Sequence, residues 1–249
     1  MNASVPFLEA ERITQRFGSF RALNDVSVKF NAGELTAIIG PNGAGKSTFF
    51  NVLSGSIAPT EGRVRFEGRD ITGLPAHEYA RMGVAKSFQI TNVFKQLSAH
   101  ENVRVAAQMH HARFQFLRPR QAYGEAIDRA DALLARVGLA DVRHKTAADL
   151  AHGQQRALEV AMALAAEPQL LLMDEPTAGM SPEETTVMMN LITELAAERT
   201  VILVEHKMKL VMGICQRLIV LHHGEFLAEG TPEDIRSNAE VRRVYLGQG

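Results

Sequence analysis

GPNGAGKST, residues 40–48, is the stretch around which the rest of this 249-residue chain is organised. It satisfies GxxxxGK[ST], with Gly40, Gly45, Lys46 and Ser47 at the fixed places. The apolar run LTAIIG leads in, and KSTFFNVLSG leads out with Phe49 and Leu53 at helical spacing. A buried strand, a tight glycine loop and a helix start together make a phosphate cradle. Glycines remove the Cβ atoms that would obstruct a phosphate, so the N–H groups of Gly43, Ala44, Gly45 and Lys46 can converge on it; the helix start adds positive potential. Lys46 supplies a point charge for β- and γ-oxygens, and Ser47 can offer its hydroxyl to Mg²⁺, which takes oxygen ligands. The stretch is expected to bind a nucleoside triphosphate.

Composition bounds the rest. A chain of this length forms one large α/β domain or two modest ones, and 46% hydrophobic residues suffice for a real core. The 27 basic and 28 acidic side chains nearly cancel, and no basic stripe interleaved with aromatics suggests nucleic acid. A single cysteine, Cys215, excludes an intramolecular disulfide and suits a reducing compartment. The beginning MNASVPFLEAER has neither a basic n-region nor an apolar h-region, and runs such as LLLM and VILV are too short to span a bilayer. Any membrane role is expected to come through a partner.

Residues 7–30 alternate as two strands around GS, and RVRF is a short strand between Gly, Pro and Thr turns. These pieces predict an antiparallel sheet beside a parallel nucleotide-binding core, to which VAKSFQ (84–89) adds a short strand. Residues 98–111 and 120–137 carry i, i+3, i+4 apolar spacing and predict two helices, joined by the basic, Pro-broken FQFLRPR. QQRALEVAMALAAE is an amphipathic helix ended by Pro168, followed by the buried strand QLLLMDE. Pro182 opens a further helix with Ser181 as its N-cap. The strand TVILVE, the helix KMKLVMGIC, the strand RLIVLH, the hairpin HHGEFLAEG and one helix over 231–247 complete the chain. The expected organisation is a single domain over 1–249: a core from 7–97 and 168–249, and a helical subdomain over 98–167.

Other polar residues gather at strand ends. Asp174 and Glu175 emerge at the carboxyl end of LLLMDE, where α/β sheets bind ligands; Asp174 would hold Mg²⁺ and Glu175 would polarise an attacking water. LAHGQQR places a glycine at a helix start, a second place where free N–H groups face an anion, or an ordinary cap. Gln89 and His206, each alone, read as satisfied structural residues at strand ends.

Their order changes that. Phe17, the phosphate loop, Gln89, the helical insert, LAHGQ, LLLMDE and His206 succeed one another as in an ATP-binding cassette, and nearly the whole chain resembles the ABC ATPase family. The resemblance implies an α/β P-loop NTPase core with an antiparallel β subdomain and an inserted α-helical subdomain. It implies that Phe17 stacks on adenine, the alternative being a strand-edge core residue. Gly40, Pro41, Asn42, Gly43, Ala44, Gly45, Lys46, Ser47 and Thr48 match the Walker A motif. Gln89 matches the glutamine that contacts Mg²⁺ and the attacking water, Asp174 the Walker B aspartate and Glu175 the catalytic glutamate. His206 matches the switch histidine at the γ-phosphate. Ala151, His152, Gly153 and Gln154 match the signature usually written LSGGQ, and AGMSPEE occupies the D-loop position. Two departures stand out. Ala151 replaces the signature serine, so backbone N–H groups around Gly153 would carry the anion contact, and Ser181 replaces the usual D-loop aspartate.

In this family the signature of one subunit closes over ATP held by the other, so the resemblance implies a dimer with two sandwiched ATP molecules. LAHGQQRALEVAMAL, DEPTAGMSPEET and the ending VRRVYLG resemble the ATPases of branched-chain amino acid importers. Implied partners are a second ATPase, two membrane permeases and, indirectly, a substrate-binding protein, at the cytoplasmic face of a bacterial inner membrane. Urea and short-chain amide importers, lipopolysaccharide-export ATPases and soluble ABC ATPases are the alternatives. Val93, Phe94 and Leu97 either form a groove for a permease helix or pack inside the insert.

Overall fold

The computed structural model describes residues 5–87, 93–111 and 124–246; Gln89 lies outside them. Two sheets form. The first is antiparallel, with strand order β2-β1-β4-β5 built from β1 (Leu8–Phe17), β2 (Phe20–Phe30), β4 (Glu61–Phe66) and β5 (Arg69–Asp70). The second has order β10-β9-β3-β8-β7-β6, from β3 (Leu35–Ile39), β6 (Val84–Ser87), β7 (Leu170–Asp174), β8 (Thr200–Val204), β9 (Arg217–His222) and β10 (Glu225–Gly230). All its neighbours pair in parallel except the edge hairpin β9–β10.

The central strands are apolar runs because both faces are covered, and every residue of β3, β7 and β8 is buried. Alternate side chains serve two cores. Ile38, Leu172, Ile202 and Ile219 face a cluster shared with the antiparallel sheet and α1 (Lys46–Leu53). Ala37, Leu171, Met173, Val201 and Leu218 face a cluster completed by helices. Those helices include α3 (Ala99–His111), α4 (Gly124–Arg136), α5 (His152–Leu164), α6 (Pro182–Ala196) and α7 (Met208–Ile214), while α2 (Ala76–Arg81) flanks β6. Val103 and Ala107 of α3 meet Ala130 and Leu134 of α4 in the same apolar cluster. The inserted helices thus pack continuously onto the sheet. No helix among the described residues is long and apolar enough to cross a membrane.

Local chemistry sets the details. Ser181 caps α6: its Oγ accepts from Glu184 N at 3.2 Å while Glu184 Oε2 accepts from Ser181 N at 2.9 Å. Alternation in β1 and β2 breaks at a bulge, where Arg12 and Asp25 take φ of 50° and 53° and donate to Ser27 Oγ and Thr14 Oγ1. The single helix expected over 231–247 is divided. It becomes α8 (Pro232–Ser237), α9 (Ala239–Val241) and a wide turn over Arg242–Leu246. Asn238 is extended, with ψ 119°, and its Oδ1 accepts from Glu240 N and Val241 N, so it restarts the helix in a new direction. Ahead of α3, the fully buried Asn102 side chain ties down the turn: its Oδ1 accepts from Phe94 N at 2.7 Å and its Nδ2 donates to Ser98 O at 2.9 Å. Val93 packs against the core, Leu97 is half-buried, and the Phe94 ring is 54% exposed.

Candidate functional site

The cradle forms where β3 hands over to α1. Gly45, at φ 91°, is the N-cap, and the first intrahelical bond runs from Phe49 N to Gly45 O, so the N–H groups of Lys46, Ser47 and Thr48 have no helical acceptor. They open onto a cavity of about 260 Å³ lined by residues 42–48 together with Phe20, Ala22 and Glu175. Lys46 is buried and its Nζ donates to Gly40 O at 2.8 Å and Pro41 O at 3.0 Å. Burial lowers its pKa, and the nearby carboxylates of Glu175 and Asp174 pull it partly back.

The expected reason for the glycines needs correction at two positions. A Cβ on Gly40 would lie 2.2 Å from Leu221 O, and one on Gly45 would lie 2.8 Å from Ala22 O. Those contacts are with the protein's own strands. Only at Gly43 would a Cβ meet nothing within 4 Å.

Asp174 ends β7 and is 4% exposed, and its Oδ1 has no hydrogen-bond partner among the described residues. Burial, then the neighbouring Glu175, raise its pKa, while Lys86, Lys46 and Arg156 oppose the rise. A buried carboxylate oxygen with no donor suits a hard cation, as does the exposed Ser47 at the helix start. Glu175 takes φ 45°, a costly conformation for a non-glycine residue, held by its N–H bond to Val204 O at 2.9 Å. That conformation brings Glu175 Oε1 within 3.6 Å of His206 Nδ1.

His206 follows β8, and its loop is fixed by a side chain that the sequence did not single out. Glu205 is fully buried. It accepts from Thr177 Oγ1 at 2.6 Å and from His206 N at 3.2 Å, and Lys207 Nζ closes the group on Thr177 O at 3.2 Å. A carboxylate at the end of VILVE could have drawn attention, because a charge beside a buried run must be paired.

Phe17 is 51% exposed at the tip of β1, which rules out the core alternative. Its cross-strand partner Phe20, 65% exposed, is the aromatic that lines the cradle cavity. The FGSF turn carried that signal, since a two-residue turn pairs the two phenylalanines across the strands. Ala151, His152, Gly153 and Gln154 stand at the start of α5 and do not line this cavity. Gln154 Oε1 accepts from Ala151 N at 3.1 Å, but alanine returns no bond, and intrahelical bonding begins at Gln155 N. His152 Nε2 donates to Ala178 O at 3.1 Å, joining this tip to the segment before Ser181. Gln89 falls outside the described residues.

A model of the ABC transporter family matches residues 23–178. The chain belongs to the ABC transporter family. A second model, Branched-chain amino acid ATP-binding cassette transporter, matches residues 227–249 of this ABC protein. It is 43% identical to the high-affinity branched-chain amino acid transport ATP-binding protein BraF of Pseudomonas aeruginosa, over 98% of this chain and 99% of that one. Identity to the corresponding LivG protein of Escherichia coli K12 is 42% with the same coverage, and to the lipopolysaccharide export ATP-binding protein LptB of Acidithiobacillus ferridurans 36%, over 96% of each. A nucleotide-free ATP-binding cassette from an ABC transporter superposes with a TM-score of 0.84 at 30% identity, covering 96% and 98% of the two chains. A structure described as the ADP conformation of an ATP-binding cassette of an ABC transporter gives the same score and identity, covering 97% and 99%. The P-loop NTPase fold and an ATP-hydrolysing transporter subunit follow for this ABC ATPase.

Proposed function

We propose that this ATPase energises uptake of branched-chain or other hydrophobic amino acids, as half of an ATP-sandwiching dimer docked on two membrane permeases. Glu175 and His206 meeting at the mouth of the Lys46 cradle carries the catalytic part of this proposal. The relatives named above and the match over residues 227–249 support the substrate class, and they favour amino acids over lipopolysaccharide, whose relative is less similar.

In the proposed reaction a water oxygen attacks the γ-phosphorus, the bond to the β–γ bridging oxygen breaks, and ADP leaves with the electron pair. Lys46 and the free N–H groups of Ser47 and Thr48 hold the β- and γ-oxygens. Glu175 orients the water and draws on its proton, and His206 steadies the γ-phosphate. Mg²⁺, held through Ser47 and Asp174, would neutralise charge on the phosphate oxygens. Gln89 would contact water and metal, a role resting on its motif. Phe17, with Phe20 beside it, would cover the adenine. The signature residues Ala151 to Gln154 do not line their own cradle, which suits closure over ATP on a second ATPase subunit.

The permeases would dock at the cytoplasmic face of the bacterial inner membrane and bring a substrate-binding protein with them; no nucleic acid is involved. A mostly apolar groove of about 360 Å³ between α2, β6, α3 and α5, lined by Tyr79, Val84, Ala106 and Met162, suits a helix from such a partner. Core and inserted helices, divided near 98 and 167, would turn against each other as ATP binds. Glu175→Gln should trap the ATP-bound dimer in the co-purified complex and abolish hydrolysis. A complex that hydrolyses ATP normally with that change, or transports no hydrophobic amino acid when unaltered, would overturn the proposal.

A further inference from the structure

The carboxyl-terminal tail returns to the nucleotide site. Val241, 1% exposed, anchors α9 in the helix-side core, and the following turn packs the Tyr245 ring against that cluster. The phenol oxygen then lies 3.4 Å from His206 O, to which it donates. Burial, with Glu205 nearby, raises the phenol's pKa, so the proton it donates stays in place at neutral pH. This bond meets the histidine loop at the His206 carbonyl, whereas Glu205 holds it through the His206 N–H. It leaves the imidazole of His206 untouched.

We infer that Tyr245 is a positioning residue for hydrolysis, its hydroxyl tying the His206 carbonyl to a ring packed on the helix-side core. The inference rests on the proposed contact between His206 and the γ-phosphate. ADP lacks that phosphate, so the hydroxyl matters to turnover and not to diphosphate binding. The tail is then a brace on the reacting end of the site, built by the same residues, 227–249, that match the branched-chain family model.

Tyr245→Phe keeps the ring and removes only the oxygen. In the complex with its permeases, kcat should fall about fivefold, equivalent to about 1 kcal/mol. KM for ATP and Kd for ADP should stay within about twofold, with the melting temperature unchanged. An unchanged kcat, or a loss of ADP affinity matching the loss of kcat, would overturn the inference. His206→Ala separates it from the proposal beneath it. If that change leaves turnover intact, the assignment of His206 fails; if it abolishes turnover while Tyr245→Phe does nothing, Tyr245 alone is misassigned.

Discussion

Asp174→Asn should make the nucleotide-free protein more stable while destroying its response to Mg²⁺ and ATP. The wild-type carboxylate is 4% exposed and one of its oxygens has no donor among the described residues. Leaving a buried polar atom unsatisfied costs about 1–3 kcal/mol, and more if it is charged. For a domain of this size 1 kcal/mol moves Tm by about 2–4 °C, so the asparagine variant should melt about 3–9 °C higher without metal or nucleotide. The sign of the pH dependence follows from the raised pKa. The penalty is absent where the carboxyl is protonated in both folded and unfolded states, below the ordinary carboxylate range, and it grows as pH rises through the folded-state value. The gap between variant and wild type should therefore be widest near neutrality and close on acidification. Adding Mg²⁺ and ATP should reverse the order, because only the wild type gains a ligand for its stranded oxygen. Thermal melts of the two proteins, in chelator at about pH 8 and about pH 4.5 and then with Mg²⁺ and ATP, test all three statements. A metal-free variant melting at or below wild type at the higher pH would refute the premise of an uncompensated carboxylate.

Two further expectations concern the surfaces that meet partners. Ala151→Ser gives α5 a capping oxygen that competes for N–H groups at its first turn; turnover should change by less than about tenfold, since one neutral hydrogen bond is worth about 1 kcal/mol. Steady-state ATPase assays of the complex check it, and complete loss of activity would contradict an anion contact carried by the backbone. Phe94→Ala removes an exposed ring from a turn held by Asn102, so Tm should stay put while co-purification with the permeases is lost. A lower Tm with assembly intact would mean the ring serves the fold.

What the sequence disclosed depended on whether a signal was local. Uniform burial of LTAII, LLLMD and TVILV could be read from composition, and Ser181 announced itself by the proline that follows it. The Walker residues could be assembled from spacing because loop, strand and helix are contiguous. The tail was misjudged because VRRVYLG keeps helical periodicity, while Asn238 can cap as readily as it can sit in a helix; only its two backbone partners decide. Phe20, paired across the hairpin from Phe17, lines the cradle cavity, and alternation does not say which residue of a tip pair reaches the loop. Glu205 and Tyr245 owe their places to residues far away in the chain, Thr177 and His206, and no window of sequence contains those pairs.

Gly40 and Gly45 are hemmed in by carbonyls from Leu221 and Ala22, whereas Gly43 looks into open space. A descendant of this chain that abandoned nucleotides would still need the outer two to let its strands close up. Gly43 has room for a Cβ, but its φ of 78° still favours glycine, so the residue left free to drift is Lys46. The glycines are thus an imprint of the scaffold and the lysine an imprint of the guest, so a pseudoenzyme of this lineage would betray itself at the lysine long before its glycines changed.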